Sequence, residues 1–181
     1  MAIIGVVPAR MASSRFPGKP LVHILGQPMI YHVWRRTMLS GACDRVLVAT
    51  CDEEILQAAE GFGAEAMMTS ANPRGANDRV AEVAERLDCD AVVNIQGDEP
   101  FVHPQLITDV VHVLRTRPDV QCVNPVAHIL TEAERQSPNT VKAVQNLKGR
   151  IVYFSRAVIP SAVVKERSCP VMRQVPIIGF R

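Results

Sequence analysis

Between Pro8 and Pro20 the chain reads Pro-Ala-Arg-Met-Ala-Ser-Ser-Arg-Phe-Pro-Gly-Lys-Pro, which gathers three cations, Arg10, Arg15 and Lys19, around the hydroxyls of Ser13 and Ser14. Small residues let backbone N–H groups approach phosphate oxygens, arginine offers a fork of donors and lysine a mobile point charge, so the stretch has the chemistry of a polyphosphate cradle. A second cluster, Asn94-Ile95-Gln96-Gly97-Asp98-Glu99-Pro100, puts a carboxylate beside a glycine. A carboxylate held there can take a hard divalent cation that shares its remaining positions with phosphate oxygens and water. Each motif has a plain alternative: solvated surface charges for the first, a strand-to-helix turn with Asp98 bonded to its own backbone for the second. Their pairing on two different strands favours the chemical reading.

Two common phosphate motifs are excluded. A Walker A loop needs glycine where Ser13 stands and Ser or Thr where Pro20 stands, and no Gly-x-Gly-x-x-Gly follows the first apolar run. His23, His32, His103, His112 and His128 show no metal or triad spacing. The cysteines are odd in number, five, with no Cys-x-x-Cys pair, so neither a disulfide framework nor a zinc site is signalled and a reducing, cytoplasmic setting is expected. A formal charge of +2 is too small for a nucleic-acid-binding domain, and no run approaches the length of a membrane helix, so neither partner is expected. The cations are concentrated early: Arg10, Arg15, Lys19, Arg35 and Arg36 all precede Asp44, the first acidic residue.

The elements that must position these groups follow from periodicity. Short apolar runs at 3–8, 45–50, 64–68, 91–96 and 120–126 read as strands, and 29–39, 53–60, 79–87 and 104–114 carry apolar residues at helical spacing. Such alternation predicts an α/β fold with a mostly parallel central sheet flanked by helices, Rossmann-like in kind. Both motifs then fall at the carboxyl ends of strands, where open α/β sheets bind ligands. After Val126 the rhythm changes. Thr131 with Glu134 predicts a short capped helix, and 141–145 and 151–155 flank Asn146-Leu147-Lys148-Gly149 as a hairpin added to the sheet. With no repeat and no low-complexity linker, residues 1–181 read as one domain.

Several motifs in register resemble the CMP-KDO synthetase family, the 3-deoxy-manno-octulosonate cytidylyltransferases. They are Pro8-Ala9-Arg10, Ser13, Arg15, Pro17-Gly18-Lys19-Pro20-Leu21, Pro28-Met29-Ile30, Val48-Ala49-Thr50, Gln96-Gly97-Asp98-Glu99-Pro100, Val141-Lys142, Tyr153-Phe154-Ser155-Arg156-Ala157 and Ile159-Pro160. The resemblance implies a nucleotidyltransferase that converts CTP and the sugar acid KDO to CMP-KDO and pyrophosphate for lipopolysaccharide assembly. It assigns the nucleotide to Ala9, Arg10, Ser13, Arg15, Lys19, Gly75, Asn77, Arg79 and Gln96, with Lys19, Asp98 and Arg15 at the reacting phosphates. It gives Asp98 a magnesium ion, turns Gln96, Arg156 and Gln174 toward the sugar acid, and makes the enzyme a homodimer. There are departures. Gly75-Ala76-Asn77-Asp78-Arg79 stands where the family has Ser-Gly-Thr-Glu-Arg, and Gln174-Val175-Pro176 replaces its His-Leu-Gly. Family members also continue past the position of Arg181 to a second magnesium-binding aspartate, so residues 1–181 are expected to bind CTP and to turn over KDO slowly or not at all. Activation of another sugar acid or a phosphonate, and an inactive nucleotide-binding homologue, stay open as alternatives.

Overall fold

The computed structural model describes residues 1–12, 16–71, 73, 75–161 and 170–181. They gather into two compact units, one of residues 1–123 with 176–181 and one of residues 124–175.

The first unit is built on a six-stranded sheet of β1 (Ile3–Pro8), β4 (Arg45–Thr50), β5 (Glu65–Met68), β6 (Ala91–Ile95), β7 (Cys122–Val123) and β12 (Ile177–Phe180), in the order β5-β4-β1-β6-β12-β7. The first four strands of that order are parallel, and β12 runs antiparallel to both its neighbours. All six residues of β1 are buried, as are the last five of β4 and all of β6, the mark of strands covered on both faces. On one face α3 (Ala76–Arg86) sets Val80 and Val83 against Ile4, Val6, Leu47, Ala49 and Val92. On the other lie α1 (Met29–Leu39), whose Thr37 comes up to Gly5, and α4 (Pro104–Thr116), while α2 (Glu53–Gly61) packs on β4 and β5. Each fully buried branched side chain here contributes roughly 1.5–3 kcal/mol relative to exposure. A two-residue hairpin, β2 (His23–Ile24) with β3 (Gln27–Pro28), leads into α1.

The predicted strands and helices in this unit are present with small shifts of boundary. The largest is at α3, which starts at Ala76 rather than Arg79 because the Asp78 carboxylate accepts the Gly75 N–H at 2.9 Å and so opens the helix earlier. The run 120–126, predicted as one strand, is two: β7 in the central sheet and β8 (Val126–His128) in another. Pro125 lies between them and has no N–H to give a ladder.

The second unit carries a four-stranded antiparallel sheet, β10-β9-β11-β8, from β8, β9 (Lys142–Gln145), β10 (Ile151–Ser155) and β11 (Met172–Gln174). The predicted hairpin is β9–β10, and it belongs to this separate sheet rather than to the central one. The predicted short helix is α5 (Glu132–Gln136), with the Thr131 hydroxyl accepting the Glu134 N–H at 3.1 Å.

Lys142 is fully buried in this unit, and its ammonium donates to the carbonyls of Ser137, Thr140 and Arg156 at 2.7, 3.0 and 3.1 Å. A buried cation held by carbonyl dipoles closes the turn before β9 onto the residue that follows β10. Lys142→Met removes the common donor of three acceptors and is expected to lower stability by about 2–4 kcal/mol. Urea unfolding of the variant checks this; an unchanged midpoint would contradict it.

Candidate functional site

The order of the central sheet creates one place where chain direction forks. From β1 the chain moves outward through β4 and β5, then returns to the other side of β1 to form β6, so the ends of β1 and β6 mark the point where strand order reverses, which is where open α/β sheets bind ligands. A cleft of about 270 Å³ opens there. Ala9, Arg10, Ala12 and Lys19 line it from the first loop, Gln96, Gly97 and Asp98 from the second, and Gly75, Ala76 and Arg79 from the start of α3.

Lys19 reaches the cleft because Gly18, at φ 72°, turns the chain into a short 3-10 turn over Lys19–Leu21. Its ammonium lies 2.7 Å from Asp98 Oδ2, joining the two motifs across 79 positions of sequence. Gly97 sets that distance. A Cβ on Gly97 would lie under 3.0 Å from the Pro8 carbonyl oxygen and 3.2 Å from Ile30 Cδ1, so only glycine lets the acidic turn pass against the head of the basic loop. The constraint is space, not a positive φ.

Arg79 is 2% exposed and is held by neutral partners: the Thr69 hydroxyl, the Ser70 carbonyl at 3.5 Å and Cys51 Sγ at 3.3 Å. A desolvated guanidinium with neutral partners is costly, and an anion in the adjoining cleft would offset that cost. The amino end of α3 brings the positive pole of its dipole to the cleft at Gly75 and Ala76. Among the described residues the cleft wall thus holds Arg10, Lys19 and Arg79 against the one carboxylate of Asp98. Such an arrangement can hold a polyanion together with a cation.

The residues singled out from sequence divide as follows. Ala9, Arg10, Lys19, Gly75, Arg79, Gln96 and Asp98 come together at the cleft. Ser13 and Arg15 lie outside the described residues. Asn77, the second residue of α3, is not on the cleft wall; its side-chain carbonyl accepts from Asn94 Nδ2 at 2.6 Å, and it borders a separate depression with Phe180 and Arg181. Arg156 and Gln174 are in the second unit. The Arg156 guanidinium donates to the Pro138 carbonyl at 2.8 Å, and Gln174 Nε2 donates to Asn124 Oδ1 at 2.7 Å. Asp52 and Cys51, which support the cleft from the end of β4, went unmarked in the sequence; their one signal is a position directly after a buried strand.

A magnesium ion fits Asp98. Its carboxylate is 45% exposed and faces the polyanion site, and magnesium characteristically takes one or two protein carboxylates together with phosphate oxygens and waters. Among the described residues no group of three or more His, Cys, Asp or Glu could form a self-sufficient metal cage. No helix among them is long and apolar enough to cross a membrane.

Residues 4–181 match the cytidylyltransferase family. The backbone superposes with a TM-score of 0.93 on a CMP:2-keto-3-deoxy-manno-octonic acid synthetase solved in complex with CTP, 35% identical, over 100% of this chain and 74% of that one. The 3-deoxy-manno-octulosonate cytidylyltransferase of Syntrophobacter fumaroxidans is 47% identical over 167 residues, covering 88% of this chain and 65% of the relative. The mitochondrial 3-deoxy-manno-octulosonate cytidylyltransferase of Arabidopsis thaliana is 46% identical over 160 residues, covering 87% of this chain and 55% of the relative. The chain therefore spans 55% to 65% of the length of these two curated relatives.

Proposed function

Because the chain belongs to the cytidylyltransferase family, we propose that it transfers the CMP group of CTP to 3-deoxy-manno-octulosonate, releasing pyrophosphate and activating the sugar acid for lipopolysaccharide assembly. The observation that carries this reading is the cationic cleft at the sheet's fork, in a backbone that follows a CTP-bound synthetase along its whole length.

In the proposed reaction a sugar hydroxyl attacks the α-phosphorus of CTP. A new phosphorus–oxygen bond forms as the bond to the bridging oxygen breaks; the electron pair leaves with pyrophosphate, and the hydroxyl proton passes to solvent. Negative charge therefore grows on the non-bridging oxygens and the leaving group, and the protein's task is to position the reactants and neutralise that charge. Arg10, Arg79 and the amino end of α3 would hold the polyphosphate. Lys19 exchanges the Asp98 carboxylate for the phosphates. Asp98 would hold the magnesium ion, which when bound supplies Lewis-acid stabilisation of the phosphoryl oxygens. Gln96 is the proposed sugar-acid contact at the cleft. We read the enzyme as a cytoplasmic homodimer acting on small molecules.

Pyrophosphate release from CTP and magnesium with KDO, other sugar acids and phosphonates tests the reading. Release with KDO above every other acceptor is expected. Release only with another acceptor changes the substrate, and CTP binding with no release from any acceptor leaves a nucleotide-binding protein. Lys19→Ala is expected to weaken CTP binding about tenfold or more, the worth of one charge-assisted phosphate contact, with the unfolding midpoint nearly unchanged. Calorimetric titration with CTP gives the value, and wild-type affinity would remove Lys19 from the nucleotide site.

A further inference from the structure

The basic loop after β1 leaves the sheet at Arg10 and leads to the 3-10 turn at Lys19–Leu21, and its neck is closed by a chain of hydrogen bonds. Met11 accepts the Gly18 N–H on its carbonyl at 3.0 Å, and Gly18 in turn accepts the Leu21 N–H at 3.0 Å in the turn that carries Lys19. The outer end of this chain is Asp52. Its Oδ2 accepts the Met11 N–H at 2.8 Å, 41 positions away.

Asp52 stands at the N-cap of α2, where an aspartate ordinarily turns its carboxylate onto the helix's own first N–H groups. Here it does not. The helix begins without a side-chain cap, and the Ile55 and Leu56 N–H groups both donate to the Asp52 backbone carbonyl at 3.1 Å. The Asp52 N–H is fixed by the Thr50 hydroxyl at 3.1 Å, which orients the residue at the end of β4. A capping group has been diverted from its own helix to the neck of a neighbouring loop.

We infer that Asp52 is a positioning residue: its carboxylate holds the neck of the basic loop so that Arg10 and Lys19, on either side of that neck, present their charges to the cleft together. Asp52 is not on the cleft wall, so it acts through Met11 rather than on a ligand. The inference rests on the reading of the loop as a triphosphate cradle. A second carboxylate in the cleft would oppose an anion; one spent on a backbone N–H beneath it stiffens the cradle instead.

The test compares Asp52→Ala and Asp52→Asn with the wild type in three measurements: CTP affinity by calorimetry, thermal midpoint, and amide hydrogen exchange at Met11 and Gly18. Asp52→Ala is expected to weaken CTP binding about tenfold and to speed exchange at both amides. Its thermal midpoint should hardly move, because α2 loses no cap. Asp52→Asn keeps an oxygen acceptor for the Met11 N–H and should recover most of both effects. Wild-type affinity and exchange in Asp52→Ala would overturn the inference, as would a large fall in thermal midpoint with no rescue by Asn, which would make Asp52 an ordinary fold-stabilising residue. If the wild type itself binds no CTP, the proposed function fails, while exchange at Met11 and Gly18 still decides whether Asp52 anchors the neck.

Discussion

Asp98→Asn is expected to lower kcat/KM for pyrophosphate release by more than about a hundredfold while leaving the fold intact. The substitution keeps the shape of the side chain and removes the formal charge that attracts a hard cation. It also releases Lys19 from its 2.7 Å ion pair, but both partners are about a third exposed or more, and such a pair is worth only about 0–1 kcal/mol. Stability and activity should therefore separate: urea unfolding near wild type, turnover almost gone, and only part of it regained at high magnesium. A magnesium titration of the rate alongside an unfolding curve makes the comparison. Wild-type turnover would return Asp98 to the role of an ordinary turn residue and leave Lys19 with a purely structural partner.

Gly97→Ala should be damaging in both respects at once. The new methyl group would meet the Pro8 carbonyl closer than real Cβ atoms approach any atom, and Pro8 is the last residue of β1, paired in register with Ala49 of β4. Backbone cannot rotate away as a flexible side chain can, so the turn after β6 must move. A clash of this kind typically costs about 1–3 kcal/mol, and the displaced turn carries Gln96 and Asp98 with it. A shift on the order of 1 Å at a phosphoryl-transfer site costs about a hundredfold in rate. Thermal unfolding and the steady-state rate of the same preparation check the expectation. A variant as stable and active as the wild type would show that the two loops do not need their close approach.

The paired effects of Gly97→Ala also show why the site was only partly legible beforehand. The basic and acidic motifs can be picked out by composition, as clustered cations and a Gly-Asp pair that each follow an apolar run. What links them is the crossing of two chain segments about ninety positions apart, and no local pattern encodes it. The ion pair between Lys19 and Asp98 and the diversion of Asp52 from its helix are of the same kind. Arg79 was marked for its place in a motif, yet its burial against Thr69, Ser70 and Cys51 depends on where α3 lands on the sheet.

The sequence by itself determined the elements whose signals are local. Strands β1 and β4 and helix α1 keep their predicted limits because continuous apolar runs and helical spacing are properties of neighbouring residues. The Thr131 cap and the turn at 146–149 are local in the same way. The tertiary structure alone decided the fate of the short strands. β7, β11 and β12 have two to four residues each, too few to show a period, and they exist through partners far along the chain: Ile177 opposite Ile95, Met172 opposite Ala143, Gly179 opposite Val123. It also decided that the run 120–126 divides between two sheets and that residues 124–175 gather as a unit of their own. Local free energies choose helix or strand, but pairing over long separations repays its loop-closure entropy only once the whole sheet is assembled.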